Sequence, residues 1–370
     1  MLESIRDQVR QAQVLSRPLR LRGGDTKRFY GEIVRAESEL DLRAYQGIVS
    51  HEPTELVITA RCGTPLQEIE AALAEHRQIL AFEPPHFGQG ATVGGMVAAG
   101  LSGPTRASVG AVRDFVLGAV LMDARGELLN FGGQVMKNVA GYDAARLLAG
   151  SLGVLGPILQ VSLKVLPQPA AQTTLAMSMP ASQALRLLNA WAAQPLPIAA
   201  SAWLDDRLVL RLQGAAAAVR SAASRLADTQ GAIQWDDAEA ASFWQEVREH
   251  RRPELRGSLW RISVPSTAPM LPIASPVLIE WGGALRWVQN DGTAAQALQV
   301  RAAAAAEGGS ATCFRAPHLV VCPTATGPVD APQGPVFDAL SPTVLALHRR
   351  LKQAFDPRGI FNPGRMHAEF

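Results

Sequence analysis

A glycine-rich stretch in the first third of the chain places the strongest constraint on its fold. From Glu83 to Arg106 the sequence reads EPPHFGQGATVGGMVAAGLSGPTR. Thr92 is a typical N-cap for a short helix that ends near Ala99. A helix N-terminus with free backbone N–H groups binds anions, and the Gly94-Gly95 pair lets a phosphate approach closely. The stretch therefore predicts an anion site, although a glycine-rich loop without a ligand has the same pattern.

Two further loops extend this interpretation. A strand at Pro18–Leu21 runs into Arg22–Lys27, RGGDTK, which can present amides and a hydroxyl group to a phosphate although it lacks P-loop spacing. Gly150–Gly156, GSLGVLG, precedes a strand at Ile158–Leu166. Three such loops, each at the end of a regular element, predict a long phosphate-bearing ligand that lies across them.

Composition narrows the class of protein. The 370 residues suit two domains, and a hydrophobic fraction of 48% is ample for their cores. The formal net charge of +2, without a block of Lys or Arg, excludes a nucleic-acid partner. Cys62, Cys313 and Cys322 form neither a CxxC pair nor a zinc pattern, which predicts reduced thiols. With no signal peptide and no apolar run of membrane-spanning length, we expect a soluble cytoplasmic protein.

The pattern of predicted elements changes once along the chain. Strands and helices alternate up to Pro167, including a buried strand at Leu56–Ala60 and a helix with Thr64 as its cap and Pro65 at its first position. A hairpin is predicted between strands at Phe115–Leu121 and Glu127–Phe131, followed by a helix around Ala144–Ala149. Beyond Pro169, alanine-rich helices alternate with short strands, as in an antiparallel sheet covered by helices. We therefore predict an α+β protein whose first part, residues 1–170, differs in pattern from the part that follows. An irregular loop is expected at 317–335.

Five segments together carry a family resemblance. RGGDTK, ATVGG, KNVAGYD, GSLGVLG and FDPRGIFNPGR occur in this order. They resemble the flavoenzymes of the vanillyl-alcohol oxidase type, which have a PCMH-type FAD-binding domain in two parts. Together with EWGGALRW at 280–287, they are most similar to the FAD-binding E subunits of bacterial glycolate oxidases. The resemblance implies a PCMH-type FAD-binding domain at residues 1–170 with an antiparallel α+β cap domain at 171–335. A C-terminal helix and tail at 336–370 would pack back on the FAD-binding domain.

The resemblance also implies which residues bind FAD. The first pyrophosphate loop would comprise Arg22, Gly23, Gly24, Asp25, Thr26 and Lys27. The second would comprise Ala91, Thr92, Val93, Gly94 and Gly95, continued beside the flavin by Gly100, Ser102 and Gly103. Gly153, Gly156 and Ile158 would lie near the adenosine end. The first loop has no His or Cys for a covalent link, so the resemblance implies non-covalent FAD.

The implied activity is oxidation of glycolate, a 2-hydroxy acid, to glyoxylate. Electrons would pass to a second, larger flavoprotein subunit and an iron–sulfur subunit, and these partners could hold the protein at the inner membrane. The His-rich metal motif of related hydroxy-acid dehydrogenases is absent, so we expect no metal. A non-catalytic scaffold subunit and a self-sufficient hydroxy-acid or sugar oxidase are the alternatives.

The sequence does not identify the catalytic residues. Arg286 is a candidate for binding the substrate carboxylate, but a solvated or cation–π arginine beside Trp281 or Trp287 is favoured. His86 is interpreted as a loop residue. Asn362 and Arg365 in the tail are candidates for contact with the cofactor.

Overall fold

The computed structural model describes residues 1–133, 144–316 and 334–370. Within these ranges the chain forms two compact units. Unit 1 comprises Met1–Ser102, Gly110–Gln168 and Ala339–Phe370, and unit 2 comprises Gly103–Val109 and Pro169–Asp338. The KNVAGYD segment, His318, Cys322 and most of the loop expected at 317–335 lie outside the described residues.

Unit 1 contains a five-stranded antiparallel sheet with the strand order β3-β4-β8-β6-β7. Unit 1 as a whole has the strands β1 Leu19–Arg22, β2 Ser38–Asp41, β3 Ile48–Glu52, β4 Val57–Arg61, β5 Gln78–Ile79, β6 Val116–Met122, β7 Leu128–Gly132, β8 Ile158–Lys164 and β9 Leu166–Pro167. Strands β1 and β2 form a separate parallel pair, and β5 and β9 an antiparallel one. Its helices are α1 Leu2–Leu15, α2 Leu66–Glu75, α3 Val93–Ala99, α5 Val112–Phe115 and α10 Pro342–Phe355.

Helix α1 shows how the sequence pattern produces the packing of unit 1. Ile5, Val9 and Ala12 recur at helical spacing and are all buried. They pack in one cluster with Leu40 of β2 and Phe361 of the C-terminal segment. The short β1–β2 pair is therefore covered by both ends of the chain.

Two predicted elements differ from the structure in an informative way. Helix α2 begins at Leu66 with Pro65 as its N-cap, because the Thr64 hydroxyl is engaged elsewhere: it accepts from Gly47 N at 2.8 Å and donates to Gly47 O at 3.2 Å. The helix expected around Ala144–Ala149 is a single 3-10 turn at Ala145–Leu148. The buried strand and the β6–β7 hairpin, closed by Gly126 N donating to Asp123 O, are confirmed.

Unit 2 contains an eight-stranded antiparallel sheet with the order β13-β10-β12-β11-β15-β16-β14-β17. Its strands are β10 Ala171–Ser178, β11 Ile198–Leu204, β12 Arg207–Gly214, β13 Ile233–Gln234, β14 Leu259–Ser263, β15 Leu278–Glu280, β16 Leu285–Gln289 and β17 Ser310–Arg315. Its helices are α4 Arg106–Val109, α6 Ala181–Ala192, α7 Ala216–Gln230, α8 Asp237–Arg248 and α9 Ala294–Ala306. Helices α6 and α7 share one hydrophobic cluster with strands at one end of the sheet, and α9 shares another with β14. Across the described ranges, no helix is both long enough and apolar enough to cross a membrane.

A buried histidine lies in the interior of unit 2. The His250 ring packs edge-on against Trp287, with centroids 4.5 Å apart, and lies 5.4 Å from the Phe314 ring. Burial, assisted by the positive charges of Arg315 and Arg261, lowers the pKa of His250 to about 3. The imidazole is therefore neutral near pH 7.

We predict that His250 makes unit 2 sensitive to acid. Between pH 6.5, the ordinary pKa, and about pH 3, the unfolded chain binds a proton at this position that the folded chain does not. The free energy of unfolding should therefore fall on acidification, by about 1.4 kcal/mol per pH unit from this group. His250→Asn, which tolerates the left-handed backbone of this position (φ 50°), should flatten the acid limb of a stability-versus-pH curve. The exposed His76→Asn variant is the control and should keep the wild-type slope; an unchanged slope in His250→Asn would contradict the prediction.

Candidate functional site

The first glycine loop, Arg22–Lys27, lies directly against the second. A Cβ atom on Gly24 would stand 1.7 Å from the Gly90 carbonyl oxygen, and one on Gly23 would stand 2.6 Å from Thr92 Oγ1. No side chain fits at these distances, so glycine at both positions is required for the two loops to touch. Segments 65 or more residues apart in sequence therefore meet at one place in unit 1.

Backbone donors of the first loop remain available. Across the described ranges, the N–H groups of residues 23–26 donate to no protein acceptor. Asp25 has a left-handed backbone with φ 58°, and its carboxylate is paired with Arg20 at 3.0 Å. Lys27 Nζ donates to His86 O at 3.2 Å and lies 5.8 Å from the Phe87 ring centroid. Successive amides in such a turn form a concave binding site for an anion.

The second loop uses its backbone differently from the expectation. Thr92 caps α3 as predicted, with Oγ1 accepting from Gly95 N at 3.3 Å. Val93 N donates to Thr64 O and Gly94 N to Cys62 O, so the expectation that the N–H groups at this helix start are free is wrong. The physical reason is an antiparallel bridge between Pro65 and Thr92, which brings acceptors of the preceding segment alongside.

Glycine at the start of α3 therefore serves packing. A Cβ atom on Gly94 would lie 2.6 Å from Cys62 Cβ, whereas one on Gly95 would lie 3.1 Å from Thr92 Oγ1. Ala91 and Val93 are buried, and Ala91 O accepts from Leu66 N at 2.7 Å. These contacts fix the second loop to the preceding segment of unit 1.

The third glycine segment packs against α3. Gly150 N donates to Val97 O, and Leu152 N donates to Ala98 O at 2.8 Å. A Cβ atom on Gly100, whose φ is 66°, would lie 2.7 Å from the Gly150 backbone. Gly153 has φ 75° and would place a Cβ 2.7 Å from Asn362 Nδ2. This segment therefore joins α3 to the C-terminal tail.

The remaining predicted residues have structural contacts of their own. A Cβ on Gly156 would meet the Met122 carbonyl oxygen at 2.3 Å, and Ile158 is a buried residue at the start of β8. Ser102 Oγ accepts from Val112 N at 3.0 Å in unit 1. Gly103 belongs to unit 2, where its carbonyl accepts from Trp281 Nε1 at 3.0 Å.

The C-terminal tail holds the first loop from behind. Leu19 pairs with Phe361 in a parallel bridge. Asn362 Oδ1 accepts from Leu21 N at 2.8 Å, and Asn362 Nδ2 donates to Leu152 O at 2.8 Å. The sequence offered Asn362 as a candidate for direct cofactor contact; in the structure its amide links the strand that enters the first loop to the third glycine segment.

Arg365 of the C-terminal tail contacts the backbone that follows the first loop. Its guanidinium donates to the carbonyls of Glu32 and Tyr30, each at 2.6 Å, and of Arg28 at 3.0 Å. Burial lowers its pKa to about 10, well above neutrality, so the group stays charged. Arg365 therefore fixes the backbone that follows Lys27, a role that sequence spacing alone could not reveal.

Two other candidates have structural roles. Arg286 is buried, and its guanidinium donates to the carbonyls of Gly283, Pro269 and Ala268. It is neither solvated nor stacked on a tryptophan, and its donors are unavailable to a substrate. His86 is also buried, with Nε2 3.1 Å from Glu70 Oε1.

The geometry fits a pyrophosphate at the first loop. Two glycine-rich loops in contact form a cradle that any Cβ at Gly23 or Gly24 would fill. Among the residues that the structure describes, the four adjacent amides of residues 23–26 have no acceptor, and the Thr26 hydroxyl and Lys27 lie in the same loop. Backbone amides can neutralise a diphosphate without a cluster of basic side chains.

Two family models match this chain. Residues 2–132 match the model of the FAD binding domain family, and residues 336–366 match the C-terminal domain of FAD linked oxidases. Both matches lie in the sequence that builds unit 1, apart from the Gly103–Val109 segment and Val336–Asp338.

Individual relatives give the same picture. The chain is 44% identical over 369 residues to the glycolate oxidase subunit GlcE of Escherichia coli, which covers 99% of this chain and 97% of that protein. It is 33% identical over 193 residues to a D-lactate dehydrogenase of Archaeoglobus fulgidus, covering 49% and 41% of the two chains. Among solved structures, alkyldihydroxyacetonephosphate synthase superposes with a TM-score of 0.65 at 16% identity, over 98% of this chain and 75% of that one.

We predict that Gly24→Ala abolishes flavin retention. The new methyl group would stand 1.7 Å from a backbone oxygen, so the first loop must separate from the second. The flavin-to-protein ratio after purification should fall at least tenfold. Gly257→Ala, whose Cβ would meet only the movable end of Gln289 at 3.2 Å, is the matched control and should keep wild-type flavin. Full flavin content in Gly24→Ala would show that the loop contact is not needed.

We also predict that Arg365→Met weakens FAD binding. Loss of the charged donors leaves several loop carbonyls unpaired. This should cost about 1.5–3 kcal/mol of binding free energy and raise the dissociation constant of FAD roughly tenfold or more. The matched control is Arg358→Met on the same tail, which removes donors to Gln13 O, Val14 O and Ser16 Oγ at the end of α1. Fluorescence titration with FAD should separate the two variants; equal losses would mean that the effect is general destabilisation.

Proposed function

The chain belongs to the family of the glycolate oxidase subunit GlcE, and we propose that it is the FAD-bearing subunit of a glycolate oxidase complex. It is an FAD-dependent oxidoreductase that acts on a 2-hydroxy acid, here glycolate, to give glyoxylate. The observation that carries the proposal is the full-length similarity, combined with four amides in the first loop of unit 1 that have no acceptor within the described part of the chain. Bound FAD supplies the acceptor for the hydride lost from the substrate carbon.

The residues of this chain bind and orient the cofactor. We infer that the amides of residues 23–26 hold the pyrophosphate, with the Thr26 hydroxyl and the Lys27 ammonium group beside it. Thr92, Gly94 and Gly95 shape the facing wall. Gly100, Gly153 and Gly156 permit the close packing of neighbouring segments of unit 1, and Arg365 keeps the backbone after the first loop in place.

Attachment of FAD is proposed to be non-covalent. The first loop has no His or Cys. Cys62, beneath Gly94, is buried, and burial raises its pKa to about 12, so the reactive thiolate is absent near neutral pH. Acid-denatured protein should therefore release all of its flavin into the supernatant.

Partner subunits complete the proposal. GlcE is by name a subunit, and this sequence has no CxxC pattern for an iron–sulfur centre. We propose that electrons leave through an iron–sulfur subunit and that a second, larger flavoprotein belongs to the complex. Residues 1–170 with the tail would form the flavin domain and 171–335 the cap, in a cytoplasmic assembly that associates with the inner membrane through its partners.

We predict that the isolated, FAD-loaded chain is reduced by glycolate more slowly than the whole complex turns over. Oxidation needs a base for the hydroxyl proton, and the sequence identifies none in this chain. Anaerobic rapid mixing with excess glycolate, followed by flavin bleaching, measures the rate. The assembled complex is the control. Bleaching at the turnover rate of the complex would show a self-sufficient oxidase, and a colourless purified chain would support a scaffold role.

A further inference from the structure

The turn between β15 and β16 contains a tryptophan with a strained backbone. Trp281 has φ 54° and is buried. Its indole Nε1 donates to Gly103 O at 3.0 Å, and the next residue, Gly282, donates its N–H to Ser201 Oγ at 2.9 Å. A non-glycine residue in the left-handed region persists only where the surroundings enforce it, and such positions concentrate at functional sites.

Two guanidinium groups lie on this indole. Arg106 Cζ, at the start of α4, is 4.4 Å from the Trp281 ring centroid, and Arg261 Cζ, on β14, is 5.2 Å from it. Stacking on a ring occupies the face of a guanidinium and leaves the five N–H donors at its edge. The two guanidinium groups therefore concentrate positive charge on one indole.

Arg261 differs from the other arginines of the same sheet region. Arg286 donates to three carbonyls, and Arg315 Nη1 donates to the carbonyls of Leu255, Arg256 and Gly257. In the part of the chain that the structure describes, Arg261 donates to no protein acceptor and has no carboxylate within ion-pair distance. The nearby Glu280 is engaged by Trp287, whose Nε1 donates to Glu280 Oε2 at 2.8 Å.

We propose that Arg261 binds the carboxylate of the 2-hydroxy acid, with Trp281 holding the guanidinium plane in position. This inference rests on the proposed function for the identity of the substrate. A planar guanidinium matches a carboxylate with two parallel hydrogen bonds, which an ammonium group cannot do.

Binding and turnover are separable at this site. Pairing with a carboxylate requires the guanidinium alone, whereas oxidation also requires a base for the hydroxyl proton. The isolated chain is therefore expected to bind glycolate even where its own flavin is reduced slowly.

The test is calorimetric titration of the full-length, FAD-loaded chain with glycolate and with oxalate, a dicarboxylate that lacks the oxidisable C–H bond. Arg261→Gln should weaken binding of both by about tenfold to a hundredfold, and Arg261→Lys by less, since it keeps the charge but not the fork. The exposed Arg220→Gln variant is the control of equal charge change and should bind as the wild type does. Ethylene glycol, which has hydroxyl groups but no carboxylate, should not bind.

Separate measurements keep the outcomes distinct. Flavin content and thermal midpoint of each variant report folding, and glycolate oxidation by the assembled wild-type complex reports the proposed function. Wild-type affinity in Arg261→Gln, or no carboxylate binding by the folded, flavin-loaded wild-type chain, would overturn the role of Arg261 and leave the proposed function standing. Absence of flavin or of complex activity would instead remove the proposed function.

Discussion

Unit 1 depends on one contact, the approach of two backbones at Gly24 and Gly90. The space between them admits no Cβ atom, so the contact exists only because the first loop has glycine there. Where the loops touch, the amides of residues 23–26 have no acceptor among residues 1–133, 144–316 and 334–370, whereas those of Val93, Gly94 and Gly95 all have one. The first loop can therefore bind an anion through its amides, and the second loop lies against it.

This contact needs support, because a loop with unsatisfied amides has little internal cohesion. The support comes from the end of the chain. Lys352, buried in α10, donates to Asp356 Oδ2 at 2.7 Å, to Val154 O and to Phe361 O, and the Asp356 carboxylate accepts from Ile360 N and Phe361 N. This satisfied network orients the tail so that Asn362 and Arg365 reach the first loop. Desolvation alone would make the Lys352 charge costly, and the three acceptors offset that cost.

The sequence predicts the α+β fold class, which the comparisons confirm, because hydrophobic periodicity and turn residues are local signals. It also predicts Thr92 as a cap, since capping depends on neighbouring residues. It does not predict that Thr64 turns towards Gly47, nor that the amides of Val93 and Gly94 have acceptors, because both follow from segments brought together by tertiary packing. The role of Arg365 was hidden for the same reason: its partners lie more than 330 residues away in sequence.

The arginines of unit 2 also show that the sequence does not predict which side chains find hydrogen-bond acceptors. Arg286 and Arg261 lie on neighbouring strands, β16 and β14, and both stand beside tryptophans in the sequence. Nothing in composition or spacing separates them. They differ in their acceptors: each of the three guanidinium nitrogens of Arg286 donates to a backbone carbonyl. Arg261 instead lies on the face of an indole, which accepts no hydrogen bond at the guanidinium edge. A charged group whose donors are satisfied stabilises the fold, and one whose donors are held open in a fixed plane is arranged for a ligand.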